Sequence, residues 1–365
     1  MLAVITTELG VSFIDRHVED LLPGKTVVVA RMSGHAFGGS LQAKGPALYL
    51  DRWKLRLSIR LARRAGASEA LLRDWTVRRF LRKHRVSVVL GEFLDQFLDY
   101  VPLLDQMKVP YVVQGHGIDL SAALCEKGMA TRYLAYRSAR AILTRSEFHR
   151  QRLIRHGLPE AKIHVNPGGV DVPPQPPQRA LDANTRFLAL GRMVPKKGPI
   201  YLLEAFRLAS NENPEITLDF IGDGPLFSAV QQFVQACGLA KRVCLHRLAT
   251  EELKRRLFLE CGVFIQHSIV DPEDGNEEGL PASTQEAMAH SMAVISTRHA
   301  GIPEAVQHGV TGLLVTEGDV QQMKMSMLKI LSCASGMGKA GYDRAVSMYS
   351  WNHERSRLKQ WLDIR

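Results

Sequence analysis

RFLALGRMVPKKGPIYLLEAFRLASNENPEITLDFIGDGP, residues 186–225, holds a whole strand–helix–strand unit. Arg186–Gly191 is a short apolar run that ends on a glycine. Ile200–Asn211 repeats its apolar residues at helical spacing, and Thr217–Ile221 is a second short run closed by Gly222. Two strands joined by a helix lie parallel, and a parallel sheet is covered by helices on both faces. Ligands of such sheets bind at the carboxyl ends of the strands, in the loops that lead into helices. Chemistry is therefore sought in the loop after each strand.

The same alternation runs outward in both directions. Toward the N-terminus, strands are expected at Ala3–Thr6, Thr26–Ala30, Ser87–Leu90, Tyr111–Gln114, Ala141–Thr144 and Ile163–Asn166. Toward the C-terminus they are expected at Val243–His246, Val263–Gln266, Ala293–Ser296 and Gly312–Val315, with helices at Leu226–Gly238 and Thr250–Glu260. Mid-chain stands Val172-Pro173-Pro174-Gln175-Pro176-Pro177-Gln178, whose prolines favour an extended segment. A chain of 365 residues also exceeds what one core organises. The expected fold class is α/β, with two Rossmann-like doubly wound domains facing a cleft. These would span residues 1–172 and 180–345, with a proline-rich linker at 173–179 and a terminal helix over 346–365 packing back on the first domain.

No apolar run of about 18 residues occurs, so no membrane-spanning helix is expected. MLAVITTELG lacks the basic and long apolar regions of a secretory signal. Cys125, Cys237, Cys244, Cys261 and Cys333 stand far apart with no CxxC pair, which points to reduced thiols in the cytoplasm rather than a metal or disulfide framework. The net charge of +10 is lopsided: residues 1–175 carry 26 Lys+Arg against 16 Asp+Glu, and residues 176–365 carry 21 of each. Between Arg52 and Arg85 lie twelve basic side chains, opposed only by Glu69 and Asp74. Such a run is either a solvated helix face or a surface for an anionic membrane, a phosphorylated lipid or nucleic acid. No nucleic-acid-binding motif accompanies it.

Three loops of the second half have residue types suited to a nucleotide-linked ligand. Gly191-Arg192-Met193-Val194-Pro195-Lys196-Lys197-Gly198 puts the cations of Arg192 and Lys197 near a helix N-terminus, an arrangement that suits a diphosphate. Gly222-Asp223-Gly224-Pro225 lets backbone approach a ligand, or is an ordinary turn into a helix. Glu277-Glu278-Gly279-Leu280-Pro281 opens a helix that carries Glu286. Glu278, at the loop's end, suits a sugar hydroxyl. Glu286, one to two turns on, suits a pair of vicinal hydroxyls, and backbone N–H groups at the helix start suit phosphate. The alternative is an acidic loop followed by an exposed helical glutamate.

Taken together, GRMVPKKG (191–198), IGDGP (221–225) and EEGLPASTQEAMAHSMAVISTRHAGIPEAV (277–306) resemble the retaining glycosyltransferases of family 4, which have the GT-B fold. That family's signature, two glutamates separated by seven residues, fits Glu278 and Glu286. The resemblance implies a UDP- or GDP-sugar donor and no metal ion. Arg192 and Lys197 would neutralise the leaving diphosphate, and Glu286 would hold the ribose. Glu278 would hold the transferred sugar, with further donor contacts at Gly222, Gly224, Gly279, Leu280 and Pro281. It also implies a front-face attack assisted by the departing phosphate.

In the first half, Gln114-Gly115-His116-Gly117-Ile118-Asp119 resembles the family's His-Gly-x-Asp turn, which implies that His116 approaches the donor sugar; Asp119 alternatively caps the next helix. Thr7–Ile14 has Gly10 where many relatives have a glycine pair, and its Ser12-Phe13-Ile14 is closer to the exopolysaccharide and capsule branch. Gly10 is the expected donor contact there. The acceptor implied by branch and charge is a saccharide or a polyprenyl-diphosphate-linked saccharide, used at the inner face of a membrane. Two rivals share parts of this pattern: a GT-B nucleotide-sugar epimerase and a non-catalytic binder of saccharide or anionic lipid. A Rossmann dehydrogenase fits less well, because no GxGxxG follows the first strand.

Overall fold

The apolar runs become strands, and their alternate residues feed two cores, one on each face of a sheet. In the computed structural model the described residues are 1–7, 9, 12–31, 45–50 and 68–365. Gly10 and the part of the basic run from residue 52 to 67 lie outside them.

β1 (Leu2–Thr6), β2 (Thr26–Ala30), β3 (Ala47–Tyr49), β4 (Val88–Glu92), β5 (Tyr111–Gln114), β6 (Ala141–Thr144) and β7 (Ile163–Val165) form a parallel sheet in the order β3-β2-β1-β4-β5-β6-β7. Ala3 and Ile5 of β1 enter the core that holds Val77 and Leu81 of the helix Glu69–Lys83. Leu2 and Val4 point the other way, into a core with Ile14, Leu358 and Leu362. The pleat thus explains why β1 is apolar on both faces from Leu2 to Ile5.

The second sheet has the order β10-β9-β8-β11-β12-β13, again parallel. Its strands are β8 (Arg186–Leu190), β9 (Thr217–Ile221), β10 (Val243–His246), β11 (Val263–Ile265), β12 (Ala293–Thr297) and β13 (Gly312–Val315). The connecting helix Pro199–Glu212 starts on a proline that needs no hydrogen-bond acceptor and buries Leu202, Leu203, Ala205, Phe206 and Ala209 on the sheet. Thr250 caps the helix Glu251–Glu260, accepting the Leu253 N–H at 3.1 Å.

The chain divides into two compact units, one of residues 1–145, 149–166 and 355–365, the other of 146–148 and 167–354. Residues after 166 belong to the second unit because their backbone is tied there. Val170 N–H donates to the Tyr349 carbonyl at 2.8 Å, and Trp351 N–H donates to the Val170 carbonyl at 3.0 Å. Arg179, beyond the prolines, inserts its guanidinium among the carbonyls of Phe258, Cys261, His290 and Ser291.

Candidate functional site

In the second sheet, β8 has β9 on one side and β11 on the other, so the connections reverse between β8 and β11. Loops leaving these two strands diverge, and the crevice between them is where an open parallel sheet receives its ligand. The β8 loop supplies cations and the β11 loop a carboxylate. Glu278 Oε1 lies 3.2 Å from Lys197 Nζ and 3.3 Å from Lys196 Nζ. Lys196 also donates to Asn276 Oδ1 at 3.1 Å and to the Glu277 carbonyl at 3.3 Å, joining the loops.

Burial would raise the Glu278 carboxyl, but Lys197 and Lys196 outweigh it and hold its pKa at about 2. Burial lowers the Lys197 ammonium, against the pull of Glu278. Two cations and one anion share a space largely shut from water. Their charge balance favours a further anion.

Arg192 is exposed on the same β8 loop. Its neighbour Met193 is fully buried and anchors the turn. Gly222 and Gly224 have a reason within the fold: a Cβ on Gly222 would fall 2.0 Å from the Gly191 carbonyl oxygen, and one on Gly224 2.5 Å from that of Met193. The two loops are laced together by Met193 N–H to the Asp223 carbonyl, 2.9 Å, and Leu226 N–H to the Met193 carbonyl, 3.0 Å. These glycines seat the Arg192 turn. Gly279, Leu280 and Pro281 are buried ahead of the helix Ala282–Ala289. Glu286, in that helix, pairs with Lys254 at 3.0 Å and stays half-buried.

His299 braces Glu278 from behind. Its Nε2 accepts the Glu278 backbone N–H at 3.1 Å, and its Nδ1 faces Glu317 Oε1 at 2.8 Å. Nε2 accepts, so the proton is on Nδ1 and is donated to the Glu317 carboxylate. Glu317 Oε2 also accepts the Val270 N–H, 3.1 Å, so one carboxylate holds both ends of the β11 loop.

In the first unit, His116 sits in the loop after β5. Asp119 fixes that loop rather than capping a helix: its carboxylate accepts N–H groups of His116 at 2.9 Å, Gly117 at 3.0 Å and, across the sheet, Leu94 at 2.8 Å. His116 Nε2 lies 2.7 Å from Glu92 Oε2, and its Nδ1 lies 3.1 Å from Arg145 Nη2.

Among the described residues one group has metal-ligand character, Asp219 on β9 with Cys244 and His246 on β10. Its imidazole and carboxylate are hydrogen-bonded to each other at 2.7 Å.

The family model for "Glycosyl transferases group 1" matches residues 175–344, and that for "Glycosyltransferase Family 4" matches residues 27–173. Residues 175–344 thus carry the group 1 glycosyltransferase domain and residues 27–173 the Family 4 domain. One curated relative is the amylovoran biosynthesis glycosyltransferase AmsK of Erwinia amylovora, 28% identical over 65% of this chain and 60% of that protein. Another is the GDP-mannose-dependent alpha-(1-6)-phosphatidylinositol monomannoside mannosyltransferase of Mycolicibacterium smegmatis, 29% identical over 60% of this chain and 61% of that one. The chain thus spans about three fifths of the length of these relatives. Among solved structures, Anabaena Alr3699/HepE in complex with UDP superposes with a TM-score of 0.77 at 17% identity, covering 100% of both chains. That likeness shows a GT-B fold.

The structure adds residues that sequence patterns did not single out. Lys196 shares Glu278 with Lys197, His299 and Glu317 brace the Glu278 loop, and Glu92 and Arg145 flank His116. His299 lies within the quoted stretch 277–306 without being singled out there. Glu92 had no signal beyond its place at the end of an apolar run.

Proposed function

We propose that the chain transfers a sugar from a UDP- or GDP-linked donor, with retention at the anomeric carbon, to a saccharide or polyprenyl-diphosphate-linked acceptor. The observation that carries this reading is the meeting of Lys196 and Lys197 with Glu278 at the switch point of the second sheet. Arg192, Lys196 and Lys197 neutralise the leaving diphosphate, the charge work that a metal ion does elsewhere. Once phosphate takes the lysines, the Glu278 carboxylate accepts hydroxyls of the donor sugar. Glu286 accepts the ribose hydroxyls, and backbone at Gly279, Leu280 and Pro281 lines the phosphate, with Gly222 and Gly224 setting the Arg192 turn. His116 is a further donor contact in this reading, as is Gly10, which lies outside the described residues. Both donor bases stay in play, since HepE was crystallised with UDP and the mycobacterial relative is named GDP-mannose-dependent.

A membrane-bound acceptor is supported by the helix Glu69–Lys83. Leu71 and Trp75, 67% and 58% exposed, fall on one stripe with exposed Arg79 and Arg82. Apolar and cationic groups side by side suit the boundary of an anionic membrane. No helix among the described residues is long and apolar enough to cross one.

The deciding experiment incubates the protein with a panel of UDP- and GDP-sugars and follows free nucleotide and donor isomers. Release of UDP or GDP that accelerates with a lipid-linked saccharide supports transfer. An isomerised donor points to an epimerase, and no turnover with any donor leaves only a binding protein. Binding to anionic vesicles at low salt, lost in a Trp75→Ala/Arg79→Ala variant, checks the membrane face.

A further inference from the structure

The first sheet has its own switch point, between β1 and β4, and the carboxylate of Glu92 stands there. Glu92 is the last residue of β4 and is 1% exposed. Its Oε1 lies 2.6 Å from Nδ1 of His17, in the helix after β1, and its Oε2 lies 2.7 Å from Nε2 of His116, in the loop after β5. The other His116 nitrogen faces Arg145, with Nη2 at 3.1 Å and Nε at 3.3 Å. A guanidinium can only donate. Nδ1 of His116 must therefore offer its lone pair, and its proton must be on Nε2, toward Glu92. The ring packs between tilted contacts with Phe13 and Phe93, at centroid distances of 4.5 and 4.6 Å and interplanar angles of 30° and 51°.

We infer that Glu92 is the positioning residue of His116, fixing it as the neutral Nε2–H tautomer so that Nδ1 is its one acceptor nitrogen. The same carboxylate binds His17, so it also ties the first helix to the His116 loop. Two surroundings keep the imidazole neutral: burial and the Arg145 cation both lower its pKa, and they outweigh Glu92 and Asp119, which raise it. In the free protein Arg145 occupies Nδ1. A donor-sugar hydroxyl reaching the same nitrogen has to displace that guanidinium, which then remains beside the site as a cation. For its kinetic consequence this inference rests on the transfer reaction proposed above; for its chemical content it does not.

The test uses the full chain labelled with 15N-histidine. Long-range proton–nitrogen spectra at pH 7.5, with His116 assigned by a His116→Asn variant, should show a hydrogen-bonded Nε2 proton and an unprotonated Nδ1. In Glu92→Leu that proton signal should move upfield or exchange away. The kcat of transfer should fall by about 100-fold with donor KM within about threefold, as misplacement of an oriented group predicts. Glu92→Asp, which keeps a carboxylate, should restore part of both. A wild-type His116 that carries its proton on Nδ1, or is imidazolium at pH 7.5, overturns the inference even if neither variant folds. So does a folded Glu92→Leu protein with wild-type kcat. A wild-type chain that turns over no nucleotide sugar would instead sink the transfer reading and leave the tautomer measurement standing.

Discussion

The Lys197 ammonium stands 3.2 Å from the Glu278 carboxylate, with 16% and 9% of the two side chains exposed. An anionic ligand must compete with Glu278 for this lysine. Glu278→Gln removes the competitor, whereas Lys197→Met removes the ligand's partner. We expect Glu278→Gln to bind UDP or GDP at least as tightly as wild type while losing transfer by roughly 100-fold, as a donor-positioning group should. Lys197→Met should weaken nucleotide binding by about tenfold or more, the value of one charge-assisted contact. Calorimetry on both variants checks the pair: weaker binding by Glu278→Gln would show that the carboxylate does not compete.

Much of this was legible in sequence because the fold repeats one local unit. Each strand is a short buried run, and all but β3 were marked by it. β3, Ala47–Tyr49, is the exception: its Ala-Leu-Tyr run has no β-branched residue to mark it as a strand, unlike the equally short edge strand β7, Ile163–Val165. Loop motifs marked Lys197 and Glu278 separately, and the structure brings the two together. Partnerships across strands were not. His17 and His116 are 75 and 24 residues from Glu92, and only the parallel order of β1, β4 and β5 brings them together. Lys196 beside Lys197 shows the same limit, since adjacent lysines in a loop give no hint that both reach one carboxylate.

Acid should act on the two buried glutamates in one direction. Glu278 and Glu92 are each held at about 2, burial being outweighed by Lys197 and Lys196 in one case and by His17 and His116 in the other. A carboxylate depressed in the folded state contributes its full stability above the unfolded pKa, near 4.5, and loses it as pH falls toward 2. Denaturant midpoints should therefore drop steeply between pH 4.5 and 2. Glu278→Gln should flatten that slope; an unchanged slope would remove Glu278 from the account.

Asp95 should act with the opposite sign. Burial, and then the neighbouring charge of Asp119, push its carboxyl up to about 6. A raised carboxyl costs stability as pH climbs from 4 through 6, because ionisation is harder in the folded chain. Asp95→Asn keeps the shape without the charge. It should stabilise the protein at pH 7.5 by about 1–2 kcal/mol and give no gain at pH 4, as thermal melts at the two pH values would show.

Arg179 should matter for folding rather than for transfer. Its guanidinium donates to Cys261 at 2.8 Å, Phe258 at 2.8 Å, Ser291 at 3.1 Å and His290, closing the ends of two helices. Burial lowers its pKa only to about 10, so it stays protonated at neutral pH. Arg179→Ala strands several carbonyls and should cost the second unit about 3 kcal/mol. Arg179→Lys, with one ammonium in place of a planar fork, should recover only part of it. Urea unfolding of the two variants reads the difference.

Gly222 offers a sharper separation of packing from ligand contact. A Cβ there would meet the Gly191 carbonyl oxygen at 2.0 Å, and backbone cannot swing aside as a side chain can. Gly222→Ala must therefore push apart the loop that carries Arg192, at about 1–3 kcal/mol of overpacking. Nucleotide binding should fall with it even though the added methyl need never touch the nucleotide. Gly336 is the control, lying exposed near the start of the helix Ala334–Met348 with nothing within 4 Å of a Cβ. Gly336→Ala should leave binding untouched and stabilise the helix by about 0.5 kcal/mol. If Gly222→Ala instead keeps wild-type stability while nucleotide affinity collapses, the glycine is there for the ligand, and the seating of the Arg192 turn is not its purpose.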